Sequence, residues 1–341
     1  MKSRILLSFF VLILLSSCNK DKKIVDSLVH YNTEMEAKGY HFGDKIQLPS
    51  EVTANAESVA ISFGEKETTD LTIDPRYFTL GDNAVTFNIK KKNGEMLYQD
   101  ATINVFAKTP EQKLTYKPVA EYPHDTSYFT EGFLLEGNTV YESVGLEGHS
   151  KLVKYTLGST QPTASVEQPA DIFSEGIVTL GDKIYQLTYH AKKGFVYDKS
   201  SMKLLKEFPY PNVIGEGWGM TTDGKNLIVS DGTKNIYYLS PSDPSQVARY
   251  ISVAGNTQVY DQLNELEYHK GFLYANVWQQ PYILKINPAN GEVVGKIDFS
   301  ELTKKNTKGN DDVLNGIAFK GDNMLVTGKN WPEIYEVELQ K

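Results

Sequence analysis

Glu131-Gly132-Phe133-Leu134, Glu175-Gly176-Ile177-Val178, Trp218-Gly219-Met220-Thr221, Asn264-Glu265-Leu266-Glu267 and Asn315-Gly316-Ile317-Ala318 are five versions of one fragment. Their first residues stand 44, 43, 46 and 51 positions apart. A second recurring position lies fourteen residues beyond each, at Gly145, Tyr189, Gly232, Trp278 and Lys329. A period in the forties with two strand signals at a fixed offset is the pattern of propeller blades. Turns such as Glu136-Gly137-Asn138, Leu180-Gly181-Asp182 and Lys320-Gly321-Asp322 separate the strands. Third strands are expected at 151–155, 194–197, 236–239, 282–286 and 333–337. The fifth unit ends after three strands. The strand-like segment 114–121, ahead of the first unit, is expected to supply its missing outer strand and leave fewer exposed edges. The reading for 112–341 is therefore an all-β, five-bladed β-propeller domain.

Upstream the pattern changes. Between 24 and 108 apolar residues alternate, as in Val59, Ile61, Phe63 and again Val85, Phe87, Ile89, before Asn93-Gly94 offers a two-residue hairpin turn. Short alternating strands with turn signals predict a small immunoglobulin-like β-sandwich, a spacer or docking module. The run 109–112 marks the boundary. At the N-terminus Lys2 and Arg4 precede eleven apolar residues, 5–15, too few to span a bilayer. Residues 1–17 read as an export signal. Leu15-Ser16-Ser17-Cys18 resembles a bacterial lipobox, which makes Cys18 the lipidated first residue and 18–23 a charged tether. The plainer alternative is an ordinary signal peptide with an incidental cysteine. Lipidation implies an exported lipoprotein held to a membrane surface by its lipid anchor, facing the periplasm or the cell surface.

Cys18 is the only cysteine, so the processed chain has no disulfide, thiolate metal site or cysteine nucleophile. The six histidines are scattered, and no metal or cofactor is expected. The net charge of −8, with both signs interspersed, argues against nucleic acid as a partner, because phosphate binding needs clustered Lys and Arg.

Function is sought where the repeats converge. Strand-end positions of a propeller ring its axis, which gathers Glu131, Glu175, Trp218, Asn264, Asn315, Tyr189, Trp278 and Lys329, with Gly145 and Gly232 leaving space. Two of the three tryptophans fall in this ring, and Trp331 lies two residues beyond Lys329. Aromatic groups with a few convergent polar ones describe a small-molecule pocket; tryptophans packed between blades are the alternative. Glu175, in Phe173-Ser174-Glu175-Gly176, has aromatic surroundings that raise a carboxyl pKa and suit it to proton transfer. The competing reading is a solvated or salt-bridged glutamate, with Lys329 as the candidate partner.

The ordered set Tyr122-Pro123-His124-Asp125, Phe129-Thr130-Glu131-Gly132, Phe173-Ser174-Glu175-Gly176, Gly217-Trp218-Gly219, Asn264-Glu265-Leu266-Glu267-Tyr268, Asn276-Val277-Trp278, Leu314-Asn315-Gly316 and Thr327-Gly328-Lys329 resembles the plant-type glutaminyl cyclases, or glutaminyl-peptide cyclotransferases, over about residues 114 to 341. The resemblance implies a five-bladed, zinc-independent enzyme acting on peptides or proteins with N-terminal Gln. The α-amine attacks the side-chain amide carbonyl, ammonia leaves, and pyroglutamate remains. It implies Glu175 as proton carrier, and Asn264 and Lys329 as groups that hold the amide oxygen as charge develops. Phe129, Phe173, Trp218 and Trp278 become the wall that keeps the glutamine folded. Tyr189 and Asn315 complete the expected substrate-binding set, with Glu131 as a partner for the α-ammonium. Glu131 replaces a family Gln, and Tyr189 a family Trp. Two other readings remain: a metal-dependent lactonase-type propeller with a cation on Glu131, Glu175, Asn264 and Asn315, and a non-catalytic propeller that binds a peptide terminus.

Overall fold

The structure is a computed structural model that describes residues 19–340. Cys18 and the export signal lie outside the described residues. The chain divides into two compact units, one of residues up to 77 with 83–104, the other of 78–82 and everything from 105 onward.

The N-terminal unit differs from the sequence expectation. Residues 19–23 belong to a helix, α1 (Asn19–Lys38), and a short helix α2 (Ser50–Asn55) follows. Among the described residues there is then a single four-stranded sheet, β1 (Ala56–Phe63), β2 (Lys66–Thr68), β3 (Gly81–Lys91) and β4 (Met96–Val105), in the order β2-β1-β3-β4. A sandwich needs two facing sheets, so the immunoglobulin-like expectation is corrected to a sheet with helices. The missed signal is Ile24 and Leu28: both are buried, four residues apart, as on one helix face. The alternation in β3 was legible, since Val85, Phe87 and Ile89 are buried. The turn after β3 is wider than two residues. Lys91 N donates to Glu95 O at 2.9 Å across residues 92–94, and Gly94 takes the left-handed conformation (φ 88°).

The second unit begins with β5 (Gln112–Pro123). Three four-stranded antiparallel sheets follow in chain order. They are β6 (Thr130–Glu136), β7 (Thr139–Val144), β8 (Lys151–Thr156) and β9 (Pro162–Glu167); β10 (Ser174–Leu180), β11 (Lys183–Thr188), β12 (Lys193–Asp198) and β13 (Leu204–Pro209); and β14 (Met220–Thr222), β15 (Leu227–Ser230), β16 (Asn235–Ser240) and β17 (Asp243–Ser252). Next come β18 (Leu263–His269), β19 (Phe272–Val277), β20 (Tyr282–Ile286) and β21 (Val293–Asp298), a helix α3 (Ser300–Asn306), and β22 (Leu314–Lys320), β23 (Asn323–Gly328) and β24 (Glu333–Gln340). β5 runs antiparallel to β24, with Glu336 opposite Ala120, so the segment at 114–121 is the outer neighbour of the last strand. It also pairs in parallel with β21, Gly295 opposite Gln112, and this merges the last two groups into one eight-stranded sheet. The parallel pairing had no sequence signal.

The second strands β7, β11, β15, β19 and β23 are almost wholly buried. Both faces of such a strand are covered, which is why the repeats read as continuous apolar runs. One apolar cluster lies between each strand group and the next. Leu134 and Leu152 meet Ile177 and Ile184, and Val178 and Leu187 meet Met220 and Val229. Ile228 meets Leu266, and Ile283 meets Met324. Another cluster returns to the start, where Ala318 and Leu325 meet Phe133 and Val144. Each fully buried Leu, Ile or Phe contributes roughly 1.5–3 kcal/mol. The fold is all-β and compatible with a β-propeller.

The first strands touch in succession at the repeated second position. A Cβ on Gly176 would fall 2.4 Å from Met220 N, and one on Gly219 2.0 Å from Asn264 O, so only glycine admits the neighbouring strand. The fourth repeat carries Glu265 there. Its buried carboxylate accepts Ile317 N at 2.9 Å and also the Phe133 amide, tying β18 to β22 and β6. Burial, then the charge of Glu267, pushes its pKa well above the carboxylate range.

Candidate active site

The ring residues are aimed by bulges. The register of four of the five first strands slips, between Thr130 and Gly132, Ser174 and Ile177, Leu263 and Leu266, and Leu314 and Ile317. Glu131, Glu175, Asn264 and Asn315 sit within these slips, where a β-bulge turns a side chain out of the pleat. The second set stands just past the next strand, and backbone strain follows it. Leu146, Gln279 and Asn330, immediately after Gly145, Trp278 and Lys329, have φ of 78°, 59° and 60°. Left-handed non-glycine residues of this kind cluster at functional sites.

These elements line a cavity of about 250 Å³ formed by Phe129, Glu131, Phe173, Glu175, Tyr189, Trp218, Asn264, Trp278, Asp311 and Lys329. Its wall is a continuous aromatic arc. Phe129 meets Phe173 edge-on at 6.2 Å, Phe173 meets Tyr189 at 5.6 Å, Tyr189 meets Trp218 at 6.4 Å, and Trp218 meets Trp278 at 6.2 Å. Gly145 makes the arc possible: a Cβ there would lie 2.6 Å from the Phe173 ring and 2.7 Å from Glu131 Cγ. Trp331 is elsewhere, fully buried against Tyr335 with its indole N–H on Asp312 O at 3.1 Å. It packs between strands, as the alternative reading held for all three tryptophans.

The polar floor is a buried triad. Lys329 Nζ donates to Glu131 Oε1 at 2.6 Å and lies 4.5 Å from the Phe129 ring centre. Glu131 also receives a hydrogen bond from Glu175. The salt bridge foreseen between Glu175 and Lys329 is therefore made by Glu131, so Glu131 is occupied rather than waiting for a substrate ammonium. Burial raises the pKa of Glu175 well above the ordinary carboxylate range, and the charge of Glu131 raises it further, against the pull of Lys329. Glu131 is raised by burial too, but the charge and hydrogen bond of Lys329 oppose the shift. Both carboxyls are thus held above the usual range, Glu175 the more strongly, because the charge of Glu131 adds to its burial while Lys329 opposes the shift on Glu131.

Asn315 does not line the cavity. It lies beneath, donating Nδ2 to Thr130 O at 2.8 Å and to Glu131 Oε2 at 3.2 Å, so it positions Glu131. Asn264 faces the cavity, and its buried Oδ1 has no partner within the protein. Such an atom costs about 1–3 kcal/mol unless a ligand or water meets it. The ring cation that a lactonase needs has its counterpart in the Lys329 ammonium, already seated on Glu131. Two acidic residues escaped the sequence reading. Asp311 is exposed at the rim, and Glu216 accepts the Trp218 indole N–H at 2.9 Å. Both come from connections between repeats, where no register singles them out.

Two buried carboxyls with raised pKa values, an ammonium and an aromatic wall around a cavity of this size make up the kind of pocket in which an enzyme moves a proton on a small bound group. The glutamine cyclotransferase family model matches residues 94–339, and the chain belongs to that family. It is 38% identical over 229 residues to a glutaminyl-peptide cyclotransferase of Arabidopsis thaliana, a match covering 65% of this chain and 71% of the relative. Its fold is similar to the crystal structure of Myxococcus xanthus glutaminyl cyclase, with a TM-score of 0.62, 31% identity, and coverage of 67% of this chain and 98% of that one.

Proposed function

We propose that the protein is a glutaminyl-peptide cyclotransferase in which Glu175 carries the proton. The observation that carries this reading is the hydrogen-bonded Glu175–Glu131 pair, compensated by Lys329, inside the aromatic cavity. The N-terminal glutamine of a peptide or protein folds against Trp218, Trp278, Phe129 and Phe173. This holds amine and amide in the ring-closing conformer, a large part of the gain in an intramolecular attack. In its ionised form Glu175 takes a proton from the amine as the nitrogen bonds to the amide carbon. It returns that proton to the departing nitrogen as the carbon–nitrogen bond breaks, so ammonia leaves and pyroglutamate remains. Its raised pKa serves both steps near neutral pH. The free N–H groups of Lys329 steady the oxygen as it gains charge. The unpartnered Asn264 Oδ1 accepts an N–H of the substrate.

The scaffold is read as a five-bladed propeller, because the apolar clusters pass from group to group and return from the last to the first. Export and lipid anchoring at Cys18 rest on the sequence of residues 1–18. The deciding experiment incubates the protein with a Gln-initiated dipeptide and measures ammonia and the pyroglutamyl product. A preparation that binds the dipeptide and releases no ammonia refutes catalysis and leaves a peptide-binding propeller.

A further inference from the structure

We propose that Glu216 is a positioning residue of this pocket: its one carboxylate holds the Trp218 wall directly and the Tyr189 wall through His190, and its charge acts on Glu175. Glu216 belongs to the connection between β13 and β14, outside the repeats. Trp218 Nε1 donates to its Oε2 at 2.9 Å, and His190, whose ring packs on Tyr189 at 3.7 Å, brings Nδ1 to 3.5 Å from its Oε1. Trp218 and Tyr189 come from different strand groups, and they meet edge-on at 6.4 Å. A single acceptor therefore fixes the plane of Trp218, and through it the edge-on contact with Trp278 at 6.2 Å.

The backbone beside Glu216 is pinned in turn. A Cβ on Gly217 would lie 2.5 Å from the Tyr210 hydroxyl and 2.7 Å from Thr188 O. Tyr210 itself donates to Thr188 O at 2.7 Å, at the end of the strand that precedes Tyr189. The clamp and one of the walls it grips are thus anchored at the same place.

The charged and titratable groups around Glu216 are few. His190 lies against its carboxylate. Glu175, Glu131, Lys329 and Asp311 share the cavity. Trp218, which Glu216 holds, shares the cavity with Glu175, and the charge of Glu216 is among the causes that raise the pKa of Glu175. The charge half of the proposal rests on Glu175 as proton carrier; the clamping half does not.

The test compares Glu216→Gln, Glu216→Ala and Glu175→Gln in the full-length enzyme, following ammonia release from a Gln-initiated dipeptide across pH. Glutamine still accepts the indole N–H but has no charge. Its KM should stay within ~2-fold of wild type while the acid limb of kcat/KM moves down by about half a pH unit, the scale of one partly solvated charge. The sign follows from removing a negative neighbour, which favours ionised Glu175. Alanine frees both aromatic walls, and KM should rise ~5–10-fold, the scale of one lost hydrogen bond. The Glu216→Gln shift should persist in a His190→Gln background. An acid limb that does not move, or a shift that vanishes without His190, overturns the charge role. A wild-type KM in Glu216→Ala overturns the clamp. An active Glu175→Gln variant marks the proton-carrier reading itself as the failure, while the KM comparison still judges the clamp.

Discussion

In the proposed reaction Glu175, and not the adjacent Glu131, moves the proton. Glu175 and Glu131 are both buried and share a hydrogen bond, and Lys329 lies 2.6 Å from Glu131. Glu175→Gln keeps the shape and the hydrogen bond to Glu131 but cannot transfer a proton. General acid–base catalysis is worth about 10²–10⁴-fold, so kcat should fall by that factor, or about 2.7–5.4 kcal/mol of barrier. KM should change little, because the aromatic wall is untouched. Glu131→Gln makes the opposite case. It removes the negative charge that raises the pKa of Glu175 and frees Lys329 to pair with Glu175 instead. Both changes favour the ionised carboxylate, so the pKa of Glu175 falls. The enzyme should remain active, with the acid limb of kcat/KM displaced to lower pH by about one unit or more. Ammonia release from a Gln-initiated dipeptide over roughly pH 5 to 9 reads both variants. Wild-type turnover in Glu175→Gln, or loss of activity confined to Glu131→Gln, would move the proton carrier to the first repeat and refute the assignment.

Three further outcomes are expected. Trp278→Ala should lower kcat/KM by ~2–3 kcal/mol, the worth of a large aromatic contact and its buried area; an unaltered kcat/KM would put the substrate elsewhere. Glu265→Ala should destabilise the fold by roughly 2–4 kcal/mol, because the Ile317 and Phe133 amides lose their acceptor. The raised pKa of Glu265 means that the native state holds its proton more tightly than the unfolded chain does. Its contribution is complete below the ordinary carboxylate range and is lost as pH rises toward the folded pKa. Glu265→Gln should flatten that part of the stability curve in denaturant titrations at several pH values, and a slope identical to wild type would contradict it. Cys18→Ala should release the protein from membranes on fractionation, and a variant that still partitions with them argues against lipidation.

The repeat at 131, 175, 218, 264 and 315, with its +14 companion set, was enough to name most of the cavity lining before any coordinates. The reason is geometric: an equivalent strand end recurs in every repeat, and residues at that position converge. The turns, the third strands and the pairing of 114–121 with the last strand followed from the same period. Alternation likewise marks the buried face of β3, but it does not reveal the helix upstream, where Ile24 and Leu28 are buried four residues apart in α1.

The period could not decide pairing. Whether Lys329 neutralises Glu131 or Glu175 depends on how the bulges place the two carboxyls, which sequence spacing does not encode. The same bulges leave Asn315 under the floor, while Asn264, at the equivalent position, faces the cavity. Trp331 follows Lys329 by two residues yet turns into the core through the left-handed Asn330. Asp311 and Glu216 reach the pocket from connections with no register. The sequence determined which residues converge, because convergence follows from periodicity. Only the tertiary structure decided which of them touch, because hydrogen bonds and charges between strands distant in the chain depend on distances that no spacing along it specifies.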